Sequence, residues 1–143
     1  MTFTVIGKPQ GKARARTFYH EGAKRVVSMT PEQTVNYENL IKLSAPQGIY
    51  YENEPLSIII CAYFEIPKST SKAKRAAMEN FAILPTVKPD ADNILKVVCD
   101  ALNGVLYHDD KQIVSAIVQK YYTKLEPKLV ITLEASEDMK GRG

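Results

Sequence analysis

Lys88-Pro89-Asp90-Ala91-Asp92-Asn93-Ile94-Leu95-Lys96 opens the stretch in which an extended segment turns into a helix, and it carries much of the polar chemistry of the chain. Pro85 and Pro89 each disfavour helical backbone in the residue before them, so residues 83–88 are expected to be extended. From Asn93 onward the period changes. Ile94, Leu95, Val98, Ala101 and Leu102 form an apolar stripe at helical spacing, which predicts a helix over residues 93–102 with Asn103-Gly104 as its C-cap. Asp92 falls near the helix cap and Asp90 just outside it, while Lys96 and Asp100 follow Asp92 at four-residue intervals. The helix therefore presents a polar edge beside its apolar stripe.

Strands are legible on both sides of this helix. Residues 2–6 read as a short strand with Phe3 and Val5 on one face. Residues 56–66 alternate Leu56, Ile58, Ile60, Ala62, Phe64 and Ile66 against Ser57, Ile59, Cys61, Tyr63 and Glu65, the pattern of a strand with one buried face. Two further strands are predicted at residues 112–123 and 128–135, joined by a hairpin turn at Glu126-Pro127-Lys128. Thr30-Pro31-Glu32-Gln33 predicts a helix start, with Thr30 as cap, Pro31 in the first turn and Gln33 completing a capping box. That helix should reach about Leu43 and stop before Pro46. Ser69-Thr70-Ser71 offers caps for a short basic helix from Lys72 to about Phe81. Residues 7–27 show no sustained period and read as a basic loop that contains a hairpin at most. The order predicts a single α+β domain over residues 1–143, with a mostly antiparallel four-stranded sheet packed against helices. Residues 136–143 are expected to fray.

Composition bounds the function classes. A chain of 143 residues with 45% hydrophobic and 24% charged residues is that of an ordinary globular domain. The longest apolar run, residues 58–64, is strand-sized rather than membrane-spanning, and no signal peptide opens the chain, so no membrane role and a cytoplasmic location are expected. Cys61 and Cys99 read as small core residues, and with only His20 and His108 beside them there is no zinc spacing. The net charge of +3 is modest, but its distribution is uneven. Lys8, Lys12, Arg14, Arg16, Lys24 and Arg25 stand against Glu21 in one segment, Lys68, Lys72, Lys74 and Arg75 form a second cluster, and Lys88 adjoins the acidic run. Such clusters are ordinarily solvated surface; beside a phosphodiester site they read as contacts to a nucleic-acid backbone.

The acids are individually unremarkable. Asp92 is a good cap, Asp92 and Lys96 suit an i,i+4 ion pair, and Asp109-Asp110 suits a polar turn. Together they suggest more. If the helix start and the start of the next strand converge, Asp90, Asp92 and Asp110 gather three carboxylates, whose mutual repulsion a hard cation such as Mg²⁺ relieves. Such an ion stabilises charge on a phosphate and acidifies an attacking water, and Lys96 is placed to stabilise the leaving oxygen. Neither a Ser/His nor a Cys/His pair competes as a covalent nucleophile.

Three segments carry a family resemblance: Lys88-Pro-Asp90-x-Asp92-Asn93-x-x-Lys96, then Asp100-Ala101-Leu102-Asn103-Gly104-x-Leu106, then Asp109-Asp110-x-Gln112-Ile113-Val114. They resemble the RusA family of Holliday junction resolvases, phage- and prophage-associated endonucleases of bacteria. The resemblance implies that Asp90, Asp92 and Asp110 are metal-binding catalytic carboxylates and Lys96 the catalytic lysine. It also implies a homodimer that nicks four-way DNA junctions symmetrically with Mg²⁺ or Mn²⁺, in a bacterial or phage-infected cell. The compact members carry an arginine-rich run before the acidic motif, where this chain has Thr86-Val87-Lys88. Its DNA contacts are therefore assigned to Lys8, Lys12, Arg14, Arg16, Lys68, Lys72, Lys74, Arg75 and Lys88. Two alternatives stand beside the resolvase: a less selective metal-dependent nuclease, and a catalytically silent DNA-binding adaptor of the same fold. A nucleotidyltransferase with an Asp-x-Asp pair fits less well, because no Gly-Ser dipeptide occurs and a helical period follows the pair directly.

Overall fold

The computed structural model describes residues 1–13, 16–22, 24–29 and 31–136. In chain order the elements are β1 (Thr2–Ile6), β2 (Arg16–His20), β3 (Arg25–Met29), α1 (Glu32–Ser44), β4 (Leu56–Glu65), α2 (Lys72–Glu79), α3 (Ala91–Leu102), β5 (Ile113–Thr123) and β6 (Lys128–Ala135). A 3₁₀ turn, Asp110–Gln112, leads into β5. β2 and β3 form an antiparallel hairpin inside the stretch read as a basic loop. The other four strands form one sheet in the order β1-β6-β4-β5.

That order corrects the expected topology. β5 and β6 are consecutive but not paired: β6 lies between β1 and β4, antiparallel to both, and β5 runs parallel to β4. The four-stranded sheet is thus mixed, with two antiparallel pairings and one parallel, and Glu126-Pro127-Lys128 does not close a hairpin. A parallel pair needs a crossover connection. Residues 66–112, with α2 and α3, supply it.

Alternation places the core where the pattern predicted. Phe3, Val5, Leu56, Ile58, Ile60, Ala62, Phe64, Leu129, Ile131 and Leu133 are buried, together with Tyr37 and Ile41 of α1 and Ile94, Val97, Val98, Ala101 and Leu102 of α3. The opposite face of β4 is half-buried: Tyr63 stacks on Tyr121, with ring centroids 5.5 Å apart, and Phe81 leans on Tyr121 at 4.8 Å. Cys61 sits on this half-buried face rather than in the core, whereas Cys99 is buried; both are free thiols. Burial pushes the Cys99 thiol up to about 11.

Several boundaries differ in informative ways. Pro31 occupies the N-cap of α1 instead of its first turn, with no side-chain cap bond, and Thr30 lies outside the described residues. Ser71 caps α2 by accepting from the Lys74 N–H, as its hydroxyl and position suggest. The expected frayed tail falls almost wholly outside the described residues; Ser136 still donates its N–H to the Pro55 carbonyl.

Candidate active site

α3 decides where the acids stand. Its cap is Asp90, not Asp92: the Asp90 carboxylate accepts the Asn93 N–H at 2.9 Å, satisfying one of the free donors of the first turn. Asp92 is thereby pushed into the first turn, where its carboxylate meets the Lys96 ammonium at 3.1 Å. Both partners are mostly exposed, so this pair contributes about 0.3–0.5 kcal/mol and leaves Lys96 free to turn toward a ligand.

The start of α3 faces a groove of about 480 Å³ lined in part by Lys8, Lys12, Lys88, Pro89, Asp90 and Asn93. The β1–β2 connection forms its far wall and approaches α3 closely, with the Lys12 N–H donating to the Asn93 carbonyl at 3.0 Å. Gly11 makes this approach feasible. A Cβ there would lie 2.8 Å from Cβ of Asn93 and 2.9 Å from Cβ of Pro89, closer than side chains pack. Gly11→Ala is accordingly expected to cost about 1–3 kcal/mol through overpacking and to lower the melting temperature, which calorimetry would read. An unchanged Tm would show that the wall gives way freely.

The basic residues divide by surroundings. Lys8 and Lys88 are exposed in the groove. Lys12 is committed elsewhere, with its ammonium 2.7 Å from Glu38 and 3.2 Å from Asp100. Burial pulls the Lys12 pKa down, but the hydrogen bonds to Glu38 and Asp100 outweigh it and hold the ammonium above its ordinary value. Lys12 therefore ties α1 to α3 and is not a free phosphate contact. Lys68, Lys72 and Lys74 are exposed on α2 and the turn before it, while Arg75 donates to the Pro67 carbonyl. Arg14 lies outside the described residues, and Arg16 heads β2.

Asp110 stands at the other end of α3. Its carboxylate pairs with the Asn103 side chain and feels Asp109 and Asp100. Burial first, then Asp109 and Asp100, hold the Asp110 carboxyl above its ordinary value. Asp109 is lowered, chiefly because its carboxylate accepts the Lys111 N–H. At 1.5 Å per residue, the eleven steps from Asp92 to Asn103 separate the two ends of the helix by about 16 Å. Among the described residues no three His, Cys, Asp or Glu side chains are grouped closely enough to hold a metal ion. The expected convergence of Asp90, Asp92 and Asp110 thus does not occur within one chain, and the three together do not fit a single ion there. Asp90 and Asp92 alone suit a hard cation of the Mg²⁺ type, which accepts one or two carboxylates and completes its shell with water and phosphate oxygens.

Gln112, part of the Asp109-to-Val114 motif but without a role assigned by its spacing, is a positioning residue. It is buried, accepts the Asp109 N–H at 3.0 Å, and donates to the Tyr51 and Glu54 carbonyls at 3.1 Å each. Asp109 and Gln112 together form a capping box, the Asp-x-x-Gln signal of a turn start. Tyr107, also buried, donates its hydroxyl to the Cys99 carbonyl at 2.8 Å and pins the end of α3 to the same corner.

Over residues 7–134 the chain matches the family described as "Endodeoxyribonuclease RusA". It belongs to the RusA family. An uncharacterized protein, YqaN, of Bacillus subtilis (strain 168) is 34% identical over 137 residues, covering 92% of this chain and 93% of that protein. The RusA family is one of endodeoxyribonucleases, so this chain is of a nuclease type. No helix of the described residues is long and apolar enough to cross a membrane. The RusA match spans the Asp90–Lys96 segment, the Asp109–Asp110 corner and the connection that walls the groove.

Proposed function

We propose that this RusA-family chain is a metal-dependent endonuclease that resolves Holliday junctions by paired, symmetric nicks, acting as a homodimer with Mg²⁺ or Mn²⁺. The observation that carries the reading is the exposed start of α3. Asp90, Asp92 and Lys96 stand there together, with Lys8 and Lys88 in the adjoining groove. A divalent cation held by Asp90 and Asp92 would supply charge stabilisation at the phosphate under attack. The Lys96 ammonium can leave Asp92 and approach the charge that develops on the leaving oxygen. Lys8 and Lys88, with the α2 cluster, hold backbone phosphates, so affinity should fall with salt and show little base readout.

Asp110 enters as a residue of the second copy. Separated from Asp90 and Asp92 by the length of α3, it can serve their site only in trans. Burial, then Asp109 and Asp100, raise the cost of its ionisation, a cost that an opposing cation lowers. Two copies related by a two-fold axis then present two equivalent sites to two equivalent strands.

The test uses labelled four-way junction, linear duplex and flap DNA, with Mg²⁺ or with EDTA, beside Lys96→Met. Paired, metal-dependent nicks confined to the junction are expected. Lys96→Met should cut about 10²–10³-fold more slowly, yet melt like the parent because its ion pair is exposed. Equal cutting of all three substrates would make the chain a general nuclease, and binding without cutting would make it an adaptor.

A further inference from the structure

We infer that Lys120 is a positioning residue for the start of α3, acting on Asp90 and Lys88 through the backbone of Val87. The inference rests on the metal-site reading above and names what holds that site in place. In the register of β5 with β4, Val118, Lys120 and Tyr122 lie beside Ile60, Ala62 and Phe64, all three buried. Val118 and Tyr122 pack into the core, so this side of β5 reads apolar, cation, apolar. A lysine where the alternation asks for an apolar side chain is a local conflict, and such conflicts concentrate at functional places. Taking its ammonium from water costs free energy unless another group meets it. No carboxylate does so: among the described residues Lys120 makes no ion pair. Its ammonium instead lies 5.2 Å from the centre of the Phe64 ring and donates to the Val87 carbonyl at 2.6 Å, a short charge-assisted bond.

The place of Val87 gives that bond its consequence. Residues 80–90 connect α2 to α3 without helix or strand. At one end Phe81 leans on Tyr121, and the Ala82 and Ile83 N–H groups donate to the Ala77 carbonyl. At the other end Asp90 caps α3. Between them Leu84, Thr86, Val87 and Lys88 are exposed, and Pro85 is buried. Among the described residues, the bond from Lys120 is the one hydrogen bond that residues 84–88 make. Lys88, which lines the groove, follows Val87 directly, and Asp90 comes three residues after it, within about 11 Å along the chain. The cap bond uses one carboxylate oxygen of Asp90. The other oxygen and the Lys88 ammonium take their direction from the path by which the chain enters the helix, and Lys120 fixes that path from the rigid sheet.

The experiment reads metal binding without DNA. Bound Mn²⁺ is measured as loss of the free-ion electron paramagnetic resonance signal, for the parent, Lys120→Met and Lys120→Arg. Met keeps the packing on Phe64 and removes the donor, whereas Arg keeps both donor and charge. Groups that orient a metal ligand are worth tenfold or more in affinity, so Lys120→Met should bind Mn²⁺ about tenfold more weakly and Lys120→Arg within about threefold of the parent. Charge alone predicts the reverse, because deleting a cation near a metal site tightens binding. Amide exchange should quicken over residues 84–88 of Lys120→Met and stay as in the parent over α3 and β5. Unchanged or tighter Mn²⁺ binding by Lys120→Met, equal loss in both variants, or faster exchange throughout the sheet would overturn the inference. Cleavage is read separately. A parent that binds Mn²⁺ and never cuts DNA sinks the nuclease reading alone, and a parent that binds none removes the site and this role with it.

Discussion

Mixing the Asp90→Asn protein with the Asp110→Asn protein should restore cleavage that neither shows alone. Each substitution removes a carboxylate from both sites of a dimer, and loss of several kcal/mol of charge stabilisation is about a thousandfold in rate. In a mixed dimer with trans sites, one site carries both substitutions and the other carries none. The intact site should nick one strand of a junction, giving nicked rather than resolved product. If Asp110 served its own chain's Asp90 instead, both mixed sites would be damaged and mixing would restore nothing. The readout is single against paired nicks on a labelled junction after subunit exchange, with exchange verified by a size-tagged partner. Absence of any nick after verified exchange would place all the catalytic acids of a site on one chain, against the separation that α3 imposes.

Leu102→Ala should give the largest loss of stability. Leu102 is fully buried at the end of α3, and truncating such a side chain costs about 2–5 kcal/mol. Against a typical total of about 5–15 kcal/mol that is severe, and a fall in Tm of about 10 °C is expected. Leu43, 85% exposed on α1, is the control: its truncation should stay within about 0.5 kcal/mol of the parent. Equal effects at the two positions, measured by calorimetry, would mean that α3 does not depend on the burial of its apolar stripe.

Periodicity was sufficient wherever one face of one element decides the outcome. Phe3 and Val5 in β1, the Leu56-to-Phe64 alternation in β4 and the Ile94-to-Leu102 stripe in α3 all face the core as the spacing predicts. Ser71 was legible as a cap because its hydroxyl and position act locally. Pairing was not legible. Alternation in residues 128–135 says that one face is buried but not which strands lie alongside, and β6 goes between β1 and β4 instead of folding back on β5. The site divides along the same line. The residue types and their places at a helix start were readable, and the family resemblance they carried is confirmed over residues 7–134. The convergence of Asp90, Asp92 and Asp110 was not, because chain spacing is silent about distance across the helix between them. Which of two aspartates caps α3 turned on a single hydrogen bond, from the Asn93 N–H to Asp90. Lys12 looked like a phosphate contact because its partners, Glu38 and Asp100, lie far off in sequence.

The insertion of β6 beside β1 has a consequence for biosynthesis. Thr2–Ile6 is made more than a hundred residues ahead of Lys128–Ala135, yet the two hydrogen-bond to each other and β4 needs β6 along its length. Nothing resembling the finished sheet can assemble on a growing chain until residue 135 has emerged, and such long-range closure folds slowly. The nascent polypeptide therefore stays without its full scaffold, and a protein of this design matures only after Lys128–Ala135 has been made.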